Sequence, residues 1–437
     1  MRLLIISCCL FATLLVSAQQ KWTLKQCIEH AMVNNIQVRQ KMLEKQSAEI
    51  QLNTTKMSRL PDLNAEGKQD FGRSTSRDGT KSFQNSANTS FGIGSSVPLF
   101  TGFKITNEIE SKKWSLKAAI ADLDKAREDI ALYVASAYLQ VVYNRELNKI
   151  ALDQANLSRE QIKKAEILVG AGKLAQSELY ETRSTNARDE SDVTRTNSEL
   201  KLSLVDLAQL LEVEAVDKFE IDTSISDSLL VEGMVNLADI DQTYEYAAKN
   251  RPAMKSAEYK LEESLRNEKI AKSGYFPSLE LIASYGNAYI HTYGIVNSSF
   301  SNQISENGQG VIGLHLQIPI FNRFATRNQV RLAQLDIESR KLNLETTRKS
   351  VLKDVQQAYY KAVAAKDKLT SAQKAVEAAD LALGFTKEKY QAGKATSFEF
   401  NESNNRRLKA LSDQVQAKYD FIFRCKILDF YNGRAIF

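Results

Sequence analysis

The stretch Gly310-Val311-Ile312-Gly313-Leu314-His315-Leu316-Gln317-Ile318-Pro319-Ile320-Phe321 alternates aliphatic residues with small or polar ones, and a run of about 67 residues without a proline follows it, from roughly Phe324 to Gln391. A period of two marks a strand with one apolar and one polar face. Such a strand suits a transmembrane barrel, lipid outside and water inside, and taken alone it also suits a soluble sandwich. In the proline-free run the helical period returns, and at 1.5 Å per residue the helix is about 100 Å long. Helices of that length belong to coiled coils rather than to globular domains. The seam is visible: Val355, Ala362, Leu369, Val376 and Leu383 recur every seven residues, with Ala358, Ala365, Ala372 and Ala379 at the complementary position.

The same succession occurs earlier in the chain. Val97-Pro98-Leu99-Phe100 matches Ile318-Pro319-Ile320-Phe321 at an offset of 221 residues, which persists for Ala137-Tyr138 against Ala358-Tyr359, Ala171-Gly172-Lys173 against Ala392-Gly393-Lys394, and Glu178 against Glu399. Upstream the offset is 216, pairing Ala31-Met32-Val33-Asn34-Asn35 with Ala247-Ala248-Lys249-Asn250-Arg251 and Leu60-Pro61-Asp62-Leu63 with Phe276-Pro277-Ser278-Leu279. The chain is therefore an internal duplication, and length alone, which would suggest two or three domains, misleads.

Each repeat reads as a helix, a β-hairpin and a long helical hairpin. The first spans 19–211, with a helix over about 24–57, strands at 61–71 and 90–98 within a hairpin 61–98, and a helical hairpin 103–211. The second spans 241–431, with a helix over about 241–272, strands at 277–290 and 310–319 within a hairpin 277–319, and a helical hairpin 324–431. Pro61 and Pro277 mark the exits from helix into extended chain. Polar loops of about 72–88 and 291–309 join the strands. The first long helix carries a seam of mostly small residues, Val134, Ala137, Val141, Asn144, Asn148, Ala151, Ala155, Ser158 and Ile162. Glycine turns at Gly170-Ala171-Gly172 and Ala392-Gly393 end the long helices, and return helices run from about 177 to 211 and 397 to 431. The hairpins are of nearly equal length, which puts their tips at one end and the strands at the other. Residues 212–240 form an irregular connecting belt, joined by the tail 432–437.

Composition fits an ordered, water-facing protein: 437 residues, 43% hydrophobic, 25% charged and only 5 Pro, with a mean hydropathy of −0.34. Lys and Arg number 58 against 53 Asp and Glu, interspersed, so nucleic-acid binding has no footprint. His30, His291 and His315 are scattered without Cys or carboxylates at ligand spacing, and no metal or other cofactor is implied. Arg2, the apolar run Leu3 to Val16 and the small residues Ser17-Ala18 have the form of a secretory signal, 1–18, so the mature chain is expected to begin at Gln19 outside the cytoplasm. Cys8 and Cys9 leave with the signal; Cys27 and Cys425 remain, with one pairing open to them.

Four strands cannot close a barrel, and an open sheet in lipid leaves unsatisfied backbone edges, so membrane-bound strands require several copies of the chain. The duplicated plan, the strand ends Val97-Pro98-Leu99-Phe100 and Ile318-Pro319-Ile320-Phe321, and the tip Tyr390-Gln391-Ala392-Gly393-Lys394-Ala395-Thr396-Ser397-Phe398-Glu399 together resemble the TolC-type outer membrane efflux proteins over essentially the whole mature chain. The resemblance implies a mixed α/β membrane protein. Four strands per chain contribute to a homotrimeric 12-stranded β-barrel in the outer membrane of a Gram-negative bacterium, and the coiled-coil hairpins form a periplasmic tunnel. It also implies a periplasmic adaptor at the tips and an inner-membrane pump of RND, ABC or MFS type, with export of small molecules or polypeptides.

By that resemblance Glu399 and Glu402, three residues apart on one helix face, form a constriction that selects cations and is blocked by multivalent ones. As plain helix N-terminal acids they would equally suit the positive end of the dipole. Glu178 and Glu181 match them in the first repeat. Tyr390 matches a tyrosine of the family's closed-state lock, but Ala395 stands where the basic partner is found, with Lys394 beside it as a substitute. Val169, Gly170, Ala171 and Gly172, and Gln391, Ala392, Gly393 and Lys394, are the implied adaptor contacts, although small residues are also plain turn chemistry. No phosphate loop, Cys/His ligand set or nucleophile elbow is present, so an enzyme is not expected. A coiled-coil spacer or adhesin anchored in the outer membrane is the competing reading. Duplication of both strand hairpin and tip hairpin favours a conduit, because an adhesin needs only one anchor and one stalk.

Overall fold

The computed structural model describes residues 21–75, 83–214, 219–222 and 239–434. The elements run in the order α1 (Leu24–Asn34), α2 (Ile36–Met57), β1 (Asn64–Thr75), β2 (Phe83–Phe100), α3 (Lys104–Gly170), α4 (Gln176–Leu210), α5 (Ile240–Asn250), α6 (Pro252–Ser273), β3 (Ser278–Thr292), α7 (Phe300–Glu306), β4 (Gln309–Gln317), α8 (Ala325–Gln391) and α9 (Ser397–Tyr431). Among these, the repeat is literal: α3 and α8 each have 67 residues, α4 and α9 each 35. No described helix is long and apolar enough to cross a membrane.

The single N-terminal helix expected in each repeat is broken in two, at equivalent residues. Asn35 leaves the helical region at ψ 134°, its side chain accepting from the Gln37 amide at 3.0 Å and donating to the Leu210 carbonyl at 3.1 Å. Arg251 is likewise extended at ψ 133°, because Pro252 excludes the helical conformation from the residue before it and then serves as the first residue of α6. A capping asparagine and an Arg-Pro step thus make the same break.

The contacts divide the chain into two compact units, 1–42 with 123–252 and 348–437, and 43–122 with 253–347. In the first, Leu24, Cys27 and Ala31 of α1 pack with Val134, Tyr138 and Val142 of α3 and Leu207 of α4. The described part of the connecting segment is not wholly irregular there: Ile221 forms a parallel bridge with Trp22, and Asp222 N–H donates to the Trp22 carbonyl at 2.9 Å. The remainder of that segment, the signal 1–18 and the last three residues lie outside the described residues. Cys27 and Cys425 are both free thiols, each pushed up to about 12 by burial, and they sit in separate clusters, Cys27 within the α1 core and Cys425 against Leu369, Ala417 and Phe421. The pairing left open by sequence is therefore not made. The predicted seam of α8 is buried from Val355 through Val376.

The second unit holds an antiparallel sheet in the order β1-β2-β3-β4. Both strands of the first hairpin run further than the alternation predicted, to Thr75 and from Phe83, so most of the expected loop is strand. The pairings Phe71 with Ala87, Phe91 with Asn287, Leu281 with Leu314 and Ala283 with Ile312 gather Phe71, Phe91, Ile93, Ile312 and Leu314 on one face, all exposed. Glu66, Lys68, Asp70, Glu280 and His315 share the other. Each repeat turns from strand to long helix at one left-handed corner, Gly102-Phe103 (φ 61° and 65°) and Arg323-Phe324 (φ 54° and 62°), closed by T-shaped contacts of Phe103 on Phe100 and Phe324 on Phe321. Glycine is required at 102, where a Cβ would lie 2.8 Å from the Ser273 carbonyl.

Candidate gate at the helix tips

The tips are built by glycine. Gly172 and Gly393 adopt φ values of 70° and 71°, and in each the following lysine N–H reaches back five residues, Lys173 to Leu168 O and Lys394 to Lys389 O, both at 2.8 Å. This double-bonded ending consumes the last helical carbonyls and reverses the chain within a few residues. Gly170, Ala171, Gly172, Gln391, Ala392, Gly393 and Lys394 are exposed and Val169 is half-buried. Around Gly170, Gly172 and Gly393 an added Cβ would meet nothing within 4 Å, so the tips are open surface.

The return helices start differently. Thr396 caps α9 with a complete capping box: its hydroxyl accepts from Glu399 N–H at 3.2 Å, and the Glu399 carboxylate accepts from the Thr396 amide at 2.8 Å. At the equivalent position α4 has Ala175, which offers no side-chain cap. The two matched acids therefore differ. Glu399 is engaged with its own helix, whereas Glu178 is released to accept from the Ser397 hydroxyl of the other hairpin. Because that hydroxyl spends its one proton on Glu178, the Tyr390 hydroxyl donates to Ser397 Oγ, at 3.3 Å. Tyr390 is further held by stacking on the buried ring of Phe400, centroids 5.2 Å apart.

A chain Tyr390 to Ser397 to Glu178 thus joins the two hairpins at their tips. The family resemblance points to Tyr390 and the match between repeats to Glu178, but neither points to Ser397 as a site residue, its partner being 219 residues away. The signal available was the missing cap at Ala175, which leaves the third residue of α4 without a local partner. Lys394, expected as the substitute basic partner, donates only its backbone N–H and makes no side-chain hydrogen bond or ion pair among the described residues. Lys394 is exposed at the turn, and the described side-chain hydrogen bond of Tyr390 is to the Ser397 hydroxyl. Glu402 is exposed and paired with Arg406 at 3.0 Å; Glu181 is exposed.

A second tie lies deeper. Asn404 of α9 donates to Gln154 of α3 at 3.0 Å, and Gln154 donates to Asp189 of α4 at 3.1 Å. All three are nearly buried, and desolvation raises the Asp189 carboxyl above its ordinary value, only partly offset by hydrogen bonding such as that from Gln154.

Residues 27–212 and 243–422 match the family described as outer membrane efflux protein, one segment for each repeat. Among curated relatives, the cation efflux system protein CusC of Escherichia coli O6:H1 is 23% identical over 86% of this chain and 78% of its own. The toxin and drug export protein A of Aggregatibacter actinomycetemcomitans is 23% identical over 91% and 83%. In fold the chain is similar to crystal structures of CusC, with a TM-score of 0.78 at 21% identity over 94% of this chain and 92% of that one. The CmeC outer membrane channel of Campylobacter jejuni gives the same TM-score at 17% identity, over 94% and 85%. Family and fold are those of channels rather than enzymes, and they do not favour a mere spacer. The chain belongs to the outer membrane efflux protein family and is an outer-membrane channel whose strands lie in the barrel and whose long helices form the periplasmic tunnel.

Proposed function

We propose that three copies of this chain close a twelve-stranded barrel and serve as the exit duct of a tripartite export assembly. A periplasmic adaptor seats on the tips around Gly170 to Gly172 and Gln391 to Lys394, linking the duct to an inner-membrane pump of RND, ABC or MFS type. What supports the adaptor seat is the open space around the tip glycines, which lets another hairpin approach the backbone closely. The cargo is small molecules, drugs and toxic compounds among them, or polypeptides. One relative's name speaks of cation efflux and another's of toxin and drug export. With 6 Met and 3 His in 437 residues, a relay of soft metal ligands has little to draw on.

At the tips, Glu399 and Glu402 of three chains form the constriction, with Glu178 and Glu181 beside them. The observation that carries this is the Tyr390 to Ser397 to Glu178 chain, which fastens the first turn of α9, the turn holding Glu399, to the other hairpin. Breaking it frees that turn to move outward. Six carboxylates around one axis attract cations and bind a trivalent ion tightly. In planar bilayers the wild-type channel should show cation-selective currents blocked by a trivalent cation, and Glu399→Gln with Glu402→Gln should abolish the block. Unchanged current and block in the double variant would move the gate elsewhere.

A further inference from the structure

The strand hairpins of the two repeats end unlike each other. The residues joining β1 to β2, 76–82, read Ser-Arg-Asp-Gly-Thr-Lys-Ser, with no apolar side chain, whereas β3 is followed by Tyr293-Gly294-Ile295-Val296-Asn297-Ser298-Ser299-Phe300. Their apolar members are exposed: Val296 at 99%, Phe300 at 56%, Ile295 at 54% and Tyr293 at 52%. An exposed apolar cluster of this kind marks an interaction surface.

The loop that carries it is fixed to the sheet. β4 pairs with β3 only as far as Gly286, which leaves the β4-side edge of residues 287–292 without a strand. Three side-chain amides supply the missing ladder. Asn307 donates to the Ala288 carbonyl at 2.8 Å; Gln303 accepts from Ile290 N–H at 2.9 Å and donates to its carbonyl at 3.0 Å; Asn297 does both for Thr292, each at 2.8 Å. Ser299 caps α7, and the expected polar loop is in this way a folded element.

The loop also lies on a definite face. Tyr289 and His291 occupy odd positions of β3, in register with Thr89 and Ala87 respectively and on the same side as Leu281 and Ile312. Phe300 packs edge-on to Tyr289 at 5.2 Å and Tyr293 edge-on to His291 at 4.8 Å. The aromatic cluster therefore continues the apolar, lipid-facing side of the sheet beyond the end of β4, at the hairpin end away from the helices and so toward the cell exterior. Aromatic rings at that height sit at the boundary of headgroup and acyl chain.

We propose that residues 293–300 are a membrane-interface anchor, with Tyr293 and Phe300 at the headgroup boundary of the outer leaflet and Ile295 and Val296 entering its acyl layer. The occupant of this surface is lipid, because the patch is continuous with the face that meets lipid along the barrel. The anchor sits on one hairpin in each chain.

A nitroxide at position 296 tests it, as Val296→Cys in a Cys27→Ala, Cys425→Ala background of the full channel in phosphatidylcholine and phosphatidylglycerol vesicles. Labels at Ile312→Cys and Glu306→Cys give the lipid and water references. The 296 label should collide with dissolved oxygen severalfold more than with a water-soluble nickel chelate, as at 312 and opposite to 306. A 296 label that favours the nickel chelate while 312 favours oxygen overturns the anchor and leaves the barrel standing; a 296 label reached by neither reagent places the loop against a neighbouring chain and also overturns it. If the cysteine-free background does not assemble, Val296→Trp gives a second reading: its added emission should be quenched by brominated lipid, and quenching by aqueous acrylamide alone refutes the proposal.

Discussion

The two long hairpins have the same lengths and turn geometry, but opposite interiors. Along α3 and α4 the seam is hydrogen-bonded: Asn144 donates to the Glu199 carbonyl at 3.2 Å, Asn148 to Thr196 at 3.1 Å, Gln154 to Asp189 at 3.1 Å and Ser158 to Asn186 at 3.1 Å. At the equivalent places in α8 and α9 stand Ala365 for Asn144, Leu369 for Asn148, Ala375 for Gln154, Ala379 for Ser158 and Ala417 for Thr196, with Ala365, Leu369 and Ala417 buried. At these matched places the first hairpin is held by directional bonds and the second by apolar contact, although Arg407 of α9 also pairs with Asp380 of α8. The duplication has kept the backbone and divided the work. Under the proposed gating the registered hairpin acts as the frame, and the apolar one, which carries Glu399 and Glu402, shifts.

The largest effect should come from forcing one seam's chemistry onto the other. Leu369→Asn buries an amide where Thr196's counterpart is Ala417, and combines lost burial with an unsatisfied polar group, each worth about 2 kcal/mol or more. Thermal unfolding followed by circular dichroism should show a strong loss, and adding Ala417→Thr, which restores the first repeat's pair, should recover part of it. Independence of the two changes would mean the seams are not comparable.

Next in size is Gln154→Ala. It leaves Asp189 and Asn404 without their shared partner, at about 1–3 kcal/mol for buried polar groups so abandoned. The same assay should place this variant between wild type and Leu369→Asn. Gly393→Ala should cost about 1–2 kcal/mol, since a residue with a Cβ is forced to the left-handed φ of 71°, whereas Gly170→Ala, with open space and no such φ, should be near neutral.

The smallest stability effect is pH-dependent. Burial raises the Asp189 carboxyl, so the fold prefers its neutral form, and stability is lost as pH rises from the ordinary carboxylate value through the raised one. Asp189→Asn should therefore be more heat-stable than wild type at pH 7, with the advantage shrinking as pH falls through the raised value and gone below about 4. An advantage that grows on acidification would contradict the assignment.

Much of this was legible in the residues. Paired landmarks such as Val97-Pro98 and Ile318-Pro319 carried the duplication, and proline-free heptads carried the long helices to within a residue or two of their ends, because a seam of small residues repeats over many turns. Local signals that compete with periodicity were missed. The breaks at Asn35 and Arg251 fall inside the very segments used to align the repeats, where an asparagine cap and a following proline outweigh a continuous apolar stripe. The short helix Phe300–Glu306 is too brief to show a period and exists because its loop's amides bond to a strand edge. At the proposed gate, Glu399 and Glu402 are candidates by position in the resemblance, while Ser397 is not: a hydroxyl bonded across 219 residues leaves no mark in local sequence.

The central claim is that the tip of the apolar hairpin is held to the frame by one hydroxyl. The most direct measurement is the single-channel conductance of Ser397→Ala beside wild type in planar bilayers. The variant leaves the Thr396 cap and both acids intact and removes only the link between Tyr390 and Glu178. Higher conductance or longer open dwell times, with trivalent block retained, is the predicted result. Conductance and dwell times equal to those of wild type would show that Ser397 holds nothing closed, and the division of work between the two hairpins would then lack its fastening.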